Sequence, residues 1–422
     1  MTELVRVQLA QGGVTGVKES KVCRFDAIPY GQAPIGALRF KAPMPAEWQG
    51  ELDATRPGPV PPQLPSRLRL AMGDFHASQS EDCLKLTVWT PGVDTKRRPV
   101  VVWLHGGAWQ SGGGALDWYD GIALAAWGDV VVVSPNYRLA ALGWLAVSGE
   151  TANVGLLDME LSLQWVRENI SSFGGDPERI TVMGQSAGAL SIACLLTRQP
   201  VFERAIIQSA PFGRGVRSAE AANEVSMLYL KAAGVDSVEA ARDLPVESLL
   251  RAQMAPELAE WLKSEGAHRS LFCPVADGVV IPKDIDAALH RAAGRADVMV
   301  GSNRDEMSAF FAKGFNQETH ALGNMIYGDA SRNWASVTSS MGRKAWAYVF
   351  QHRFNEQFGA CHCIEIPFVF GTTSAFDDAP MLKGITQDDV DTLTEAIQQA
   401  WLSFIRDGHP GWLAWPHEHV FE

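Results

Sequence analysis

Ser186 stands at the centre of Gly184-Gln-Ser-Ala-Gly188, after the apolar, β-branched run Ile180-Thr-Val-Met and before Ala187 to Leu196, which can continue as a helix. A Gly-x-Ser-x-Gly turn holds its serine in a strained backbone conformation that lifts the hydroxyl clear of the chain, and the flanking glycines leave room where a Cβ would collide. Ser186 is therefore a candidate nucleophile. The five residues alone also suit an ordinary loop; the strand before and the helix after give them weight. A serine hydroxyl attacks only when a base takes its proton, and the base needs a carboxylate to fix its tautomer and stabilise the imidazolium. The chemistry open to such a set is acyl transfer.

Ten histidines could supply the base. His76, His268, His290, His320 and His352 lie in polar or helical surroundings, while His409, His417 and His419 fall near the end of the chain. His105 heads a glycine pair and reads as a residue that shapes its loop. His362, between Cys361 and Cys363 and just before Ile366-Pro-Phe-Val-Phe, suits a loop over a sheet and is a candidate base. For the acid, Arg304-Asp-Glu leaves an apolar strand and offers Asp305 or Glu306. Gly107 and Ala108 follow another apolar run, and with the N–H of Ala187 their backbone N–H groups can form an oxyanion hole. One such donor is worth about 2.7 to 4 kcal/mol in the transition state.

The elements that must position these groups alternate. Val100-Val-Val-Trp-Leu and Val130-Val-Val-Val are continuous apolar runs of the kind buried on both faces of a parallel sheet. Leu84 to Trp89, Ala205-Ile-Ile-Gln-Ser and Val298-Met-Val-Gly-Ser-Asn read as further strands, and Leu156 to Ile170 as a helix stopping at Phe173-Gly-Gly-Asp-Pro. Val390, Leu393, Ile397, Trp401 and Phe404 mark one face of a helix that ends at Gly408. The pattern predicts an α/β fold with a mainly parallel central sheet flanked by helices, in a single domain over 1–422. Helical cap insertions near 214–270 and 308–350 are expected to roof the pocket. Catalytic groups then belong on loops at the carboxyl ends of the strands.

The formal net charge of −12 argues against nucleic acid and anionic membranes as partners and disfavours anionic substrates. No segment approaches the run of about 18 apolar residues that a membrane span requires. The opening residues alternate as a strand, without the apolar core of a signal peptide, so the cytoplasm is the expected compartment. The six scattered cysteines form no dense disulfide framework and read as free thiols. Cys361-His362-Cys363 lacks the fourth ligand and wider spacing of a zinc site, so no metal is expected.

Taken together, the motifs resemble the type-B carboxylesterases, the family of cholinesterases and bacterial para-nitrobenzyl esterases. The resemblance runs over nearly the whole chain. It is carried by Phe25-Asp-Ala-Ile-Pro-Tyr, Glu81-Asp-Cys-Leu-Lys-Leu, His105-Gly-Gly-Ala-Trp, Asn136-Tyr-Arg-Leu, Asn153-Val-Gly-Leu-Leu-Asp, Phe173-Gly-Gly-Asp-Pro, Gly184-Gln-Ser-Ala-Gly-Ala, Arg304-Asp-Glu and His362-Cys-Ile-Glu-Ile-Pro-Phe-Val-Phe-Gly. It implies an α/β-hydrolase fold, Ser186 as nucleophile, Glu306 as acid and His362 as base. It also implies Gly107, Ala108 and Ala187 as oxyanion donors, Ser209 as a buried serine supporting the acid, and no cofactor. Two departures stand out. Met307 replaces the usual glycine after the acid, and Cys83 lacks the upstream cysteine with which secreted relatives pair it.

The expected reaction is hydrolysis of small to medium neutral carboxylic esters through an acyl-enzyme. The same triad could instead act on a carbamate or amide, or pass the acyl group to an alcohol. A binding-only relative would typically lack part of the triad, which this chain retains. Trp109, Phe272, Phe310 and Phe311 are candidate pocket residues by their positions near the motifs, and Trp109 could narrow the acyl side.

Overall fold

The computed structural model describes residues 3–266, 269–311, 314 and 316–422; His268 and a few residues of both expected insertions lie outside this set. Its strands are β1 (Glu3–Gln8), β2 (Gly13–Glu19), β3 (Val22–Pro29), β4 (Glu51–Asp53), β5 (Lys85–Thr90), β6 (Arg98–Leu104), β7 (Val131–Pro135), β8 (Gly175–Gln185), β9 (Arg204–Gln208), β10 (Arg217–Ser218), β11 (Val275–Ala276), β12 (Asp297–Asn303), β13 (Ala345–Phe350) and β14 (Glu418–Phe421). One large sheet runs in the order β1-β2-β3-β5-β7-β6-β8-β9-β12-β13-β14, with β4 beside β2 and a separate β10-β11 pair. From β7 to β14 every neighbouring pair is parallel; β1, β2, β3 and β5 form an antiparallel edge. β6 and β7 are buried along their whole length, as their unbroken valine runs require in a sheet covered on both faces.

The sequence places the strand into Ser186 at Ile180, yet β8 starts at Gly175. Gly175 pairs with Arg98, the ladder then slips, and Val100 pairs with Ile180. The slip absorbs Pro177, which has no N–H to give to a regular ladder.

Helices cover both faces. Val154–Asn169 and Ala187–Leu196 pack on one side. On the other, Gln387–Asp407 opens on a capping box between Thr386 and Asp389, stops at the left-handed Gly408, and buries Leu393, Ile397, Trp401 and Phe404. Each such side chain contributes about 1.5–3 kcal/mol when removed from water, so this face alone can anchor the helix. Among its described residues the first expected insertion holds four helices: Ala219–Ala232, Val238–Arg242, Val246–Ala252 and Pro256–Ser264. The second holds Gln317–Gly323, a π-helical turn Asn324–Gly328 and Asp329–Ser340, and its last residues are β13 of the central sheet.

Several of the sequence motifs serve this frame. Arg138 grips Asp158 at 2.6 and 2.8 Å and donates to the Lys41 carbonyl at 2.8 Å. Both partners are buried, so removing one strands a charge at a cost of about 3–5 kcal/mol. Arg39 likewise clasps Glu81 at 2.7 and 2.5 Å while donating to the carbonyls of Arg242 and Leu244. Asn153 exchanges two hydrogen bonds with the backbone of Val275, at 2.9 and 2.8 Å, tying β11 to the start of the helix Val154–Asn169. Asn136 accepts from the Gly114 amide at 2.8 Å and donates to the Pro59 carbonyl at 3.0 Å, which holds the proline loop. Among the described residues, no helix is long and apolar enough to cross a membrane.

Candidate active site

Ser186 lies directly after β8, between β6 and β9, with φ 54° and ψ −117°. A non-glycine residue in that conformation costs of order 1–3 kcal/mol and persists only where its surroundings impose it. Here the Ser186 N–H donates to the Gln208 carbonyl at 2.8 Å, and its carbonyl accepts from Leu190 at 3.0 Å. The glycines are obligatory for a spatial reason. A Cβ on Gly188 would stand 2.0 Å from the Leu104 carbonyl oxygen, and one on Gly184 would stand 2.9 Å from the Gly188 carbonyl carbon.

The loops after β12 and β13 bring two more groups to the same edge of the sheet. His362 Nε2 lies 2.8 Å from Ser186 Oγ, across 176 positions in sequence. Its Nδ1 is hydrogen-bonded to Glu306 Oε2, and both ring nitrogens are thereby engaged. Glu306 Oε1 accepts from the Asn303 amide at 2.8 Å. Asn303 also clips the two loops together: its side chain donates to the Cys361 carbonyl at 2.9 Å and to Glu365 at 2.6 Å. Glu365 in turn accepts from Gln208 at 3.2 Å, and Gln208 accepts from Trp401 Nε1 at 3.2 Å. Burial and the neighbouring Glu306 charge push the Glu365 pKa up.

Asp305, the competing acid, points elsewhere. It is buried against Arg353 at 3.0 Å and Arg304 at 3.2 Å, and accepts from the Ala360 amide at 2.9 Å. Met307 causes no difficulty in this turn, since its backbone is not in the left-handed region and its side chain packs on Ile326 and Tyr327. Ser209 is buried close by, but its hydroxyl has no hydrogen-bond partner among the described residues; the second oxygen of Glu306 rests on Asn303 instead.

Over Ser186, the loop after β6 turns back through Gly107, Ala108 and Trp109, all at positive φ. The amides of Gly107, Ala108 and Ala187 donate to no acceptor among the described residues. Ala187 opens its helix, where the first N–H groups have no partner within the helix. His105 fixes this loop. Its Nδ1 meets the Gly106 carbonyl at 2.7 Å, its ring stacks on Tyr137 at 4.3 Å, and the Tyr137 hydroxyl donates to the His105 carbonyl at 2.7 Å. Burial lowers its pKa to about 4, so the ring is neutral.

A cleft with about 440 Å³ of empty space, counting the part open to solvent, joins Ser186, His362, Gly107, Ala108, Ala187, Trp109 and Phe310. Trp109 is anchored through Nε1 to Ser191 Oγ at 3.0 Å. Phe272 and Phe311, the other aromatic residues singled out by position, do not line it. Phe272 is buried edge-on to Tyr229 in the core, and Phe311 is exposed outside the cleft. The helices of residues 219–264 do not line it either; among the described residues of that insertion only its flanks, Arg214 and Ser270, reach it. Sequence reasoning missed Arg67, Leu68, Pro211, Arg214 and Ser270, which belong to no recognisable motif. It also missed Gln185, whose Nε2 lies 3.2 Å from His362 Nε2 although it neighbours the nucleophile.

The carboxylesterase family model matches residues 3–333. The chain belongs to the carboxylesterase family. It is a carboxylic ester hydrolase with an α/β-hydrolase fold. It is 33% identical to a para-nitrobenzyl esterase of Bacillus subtilis (strain 168), with 97% of this chain and 91% of that protein covered. It is 36% identical to a probable N-octanoylanthranilate hydrolase of Rhodococcus erythropolis, over 96% of this chain and 93% of that one. A solved para-nitrobenzyl esterase structure superimposes with a TM-score of 0.87 at 31% identity, covering 99% of this chain and 95% of that one. Six free cysteines, all buried, complete the inventory of reactive groups, and none carries a disulfide.

Proposed function

We propose that this carboxylesterase works through Ser186, His362 and Glu306, with the amides of Gly107, Ala108 and Ala187 receiving the oxyanion. The observation that carries the reading is the continuous contact from Glu306 through His362 to Ser186 Oγ at 2.8 Å. His362 takes the Ser186 proton as Oγ attacks the ester carbonyl carbon, and returns it to the departing alcohol. The acyl-serine is then cleaved by water that His362 deprotonates. Negative charge on the carbonyl oxygen is met by preorganised N–H groups that have no other acceptor among the described residues. The substrates include small to medium neutral carboxylic esters, with Trp109 and Phe310 narrowing the space beside Ser186. The free, buried cysteines support a reducing compartment, which we take to be the cytoplasm.

The decisive experiment is Ser186→Ala and His362→Ala, each assayed on para-nitrophenyl acetate and butyrate. Members of such a triad act as a unit, and loss of nucleophile or base costs on the order of a million-fold in a well-studied protease. Turnover above a few per cent of the unaltered enzyme in Ser186→Ala would remove the assignment. A second reading keeps the site and changes the bond. The relative whose name denotes hydrolysis of an N-acyl compound supports amide cleavage by the same residues. Comparing kcat/KM for matched aryl esters and anilides separates the two.

A further inference from the structure

Two guanidinium groups line the cleft that the mechanism does not use. Arg67 comes from the segment after the proline loop and Arg214 from the turn Phe212–Arg214. Elsewhere around the site arginines end on carboxylates: Arg304 and Arg353 on Asp305, Arg138 on Asp158, Arg39 on Glu81. These two do not. The Arg214 guanidinium lies 5.6 Å from the Tyr327 ring centre and 5.9 Å from that of Phe310, with Met307 Sδ 3.8 Å from Nη2. Its Nε is shut away from solvent with no acceptor among the described residues. Arg67 keeps exposed surface at the mouth although protein atoms crowd most of it. That crowding, and next the Arg214 charge, lowers its pKa, with Tyr327 acting the other way.

Glu306 does not neutralise the pair, because it sits behind His362 with its oxygens engaged by His362 and Asn303. Beneath Arg214, the Tyr327 hydroxyl is also buried without a partner among the described residues, on a π-helical turn of a kind frequent at functional sites. Two like charges facing one cleft raise its free energy when empty, and an anion between them lowers it. A guanidinium fork matches the two oxygens of a carboxylate.

We propose that Arg67 and Arg214 form a carboxylate subsite, so that this esterase favours esters carrying a free carboxylate over neutral esters of the same size. The proposal rests on the Ser186 reading and adds a preferred group of substrates to the neutral ones. It leaves the chemistry unchanged: the ester C–O bond breaks, water adds, and the extra carboxylate takes no part. The net charge of −12 opposes approach of such anions at long range. At 0.15 M salt that field is screened beyond about 8 Å, whereas contact with the arginines is not. The carboxylate can sit on the acyl side, as in monoesters of dicarboxylic acids, or on the alcohol side, as in acylated hydroxybenzoates.

The test compares kcat/KM for the para-nitrophenyl monoester of glutaric acid with para-nitrophenyl valerate, and for 4-acetoxybenzoate with 4-acetoxybenzamide, at 0.15 M salt. The full-length enzyme is measured beside Arg67→Gln, Arg214→Gln, the double variant and Arg214→Lys. At least one charged ester should exceed its neutral partner by about tenfold, carried in KM. That ratio should fall towards one in the double variant and partly recover in Arg214→Lys. Charged esters no better than their partners in the unaltered enzyme, or a ratio that survives the double replacement, would overturn the subsite. If the double variant fails to fold, the ratio in Arg67→Gln, altered at the exposed mouth, decides the matter. Turnover of the neutral esters tests the Ser186 reading separately. Inhibition by 3-carboxyphenylboronic acid relative to phenylboronic acid, both serine-directed, reads the same preference without turnover.

Discussion

Adjacent carboxylates, Asp305 and Glu306, are expected to separate cleanly when each is replaced by its amide. Glu306 faces two donors at once: the Asn303 backbone N–H at 2.8 Å and His362 Nδ1. A backbone N–H cannot change its role, so in Glu306→Gln the amide oxygen stays on Asn303 and the NH₂ group turns to His362. The imidazole must then accept at Nδ1 and carry its proton on Nε2, where it can no longer take the Ser186 proton. A wrong tautomer of this kind costs about 10⁴ in kcat, on the order of 5.5 kcal/mol of barrier. Asp305→Asn has a different effect. It weakens contacts to Arg353, Arg304 and the Ala360 amide, for about 1.5–3 kcal/mol of stability, with the triad distances intact. The assay is kcat on para-nitrophenyl butyrate together with urea denaturation of each variant. A Glu306→Gln enzyme with more than about a tenth of normal kcat, or an Asp305→Asn enzyme that is folded and inactive, would refute the tautomer argument.

Three further outcomes are expected. Gly188→Ala drives a Cβ to 2.0 Å from the Leu104 carbonyl; the displaced turn should lower kcat by about 100-fold, and near-normal kinetics in this variant would contradict the steric account. His105, held neutral by burial with a pKa lowered to about 4, binds its proton more readily when unfolded. Stability should therefore be full above pH 6.5 and fall as pH drops towards 4, by about 3 kcal/mol from this group; denaturation midpoints across that range should flatten in His105→Asn. Across para-nitrophenyl esters from acetate to palmitate, kcat/KM should peak early, since a long open groove would add about 0.8 kcal/mol per buried methylene and give a steady rise instead.

The nucleophile turn is determined by local information. Within five residues, glycines flank a serine between an apolar strand and a helix, and the steric reason for them acts over those residues and the adjoining strand. The alternation of strands and helices, and the helix face from Leu393 to Phe404, are legible for the same cause: periodicity is a property of neighbouring residues. The motif resemblance names His362 and Glu306. The residues alone leave Asp305 and Glu306 equal, because the choice depends on which carboxylate meets a ring that another loop delivers.

Tertiary structure decides what depends on distant segments meeting. β8 begins at Gly175 because β6 offers a partner there, a fact no local pattern contains. Asn303 and Glu365 form a clip between two loops, and although Glu365 falls inside a recognised motif neither residue declares that role, since any buried polar residue in a strand or loop reads alike until its partners are known. Phe272 and Phe311 sit near motifs in sequence but face the core and the outside, whereas Arg67 and Arg214, 147 positions apart by number, converge on one cleft. A summed charge of −12 could not reveal that convergence, because net charge discards position and a binding site is made of position.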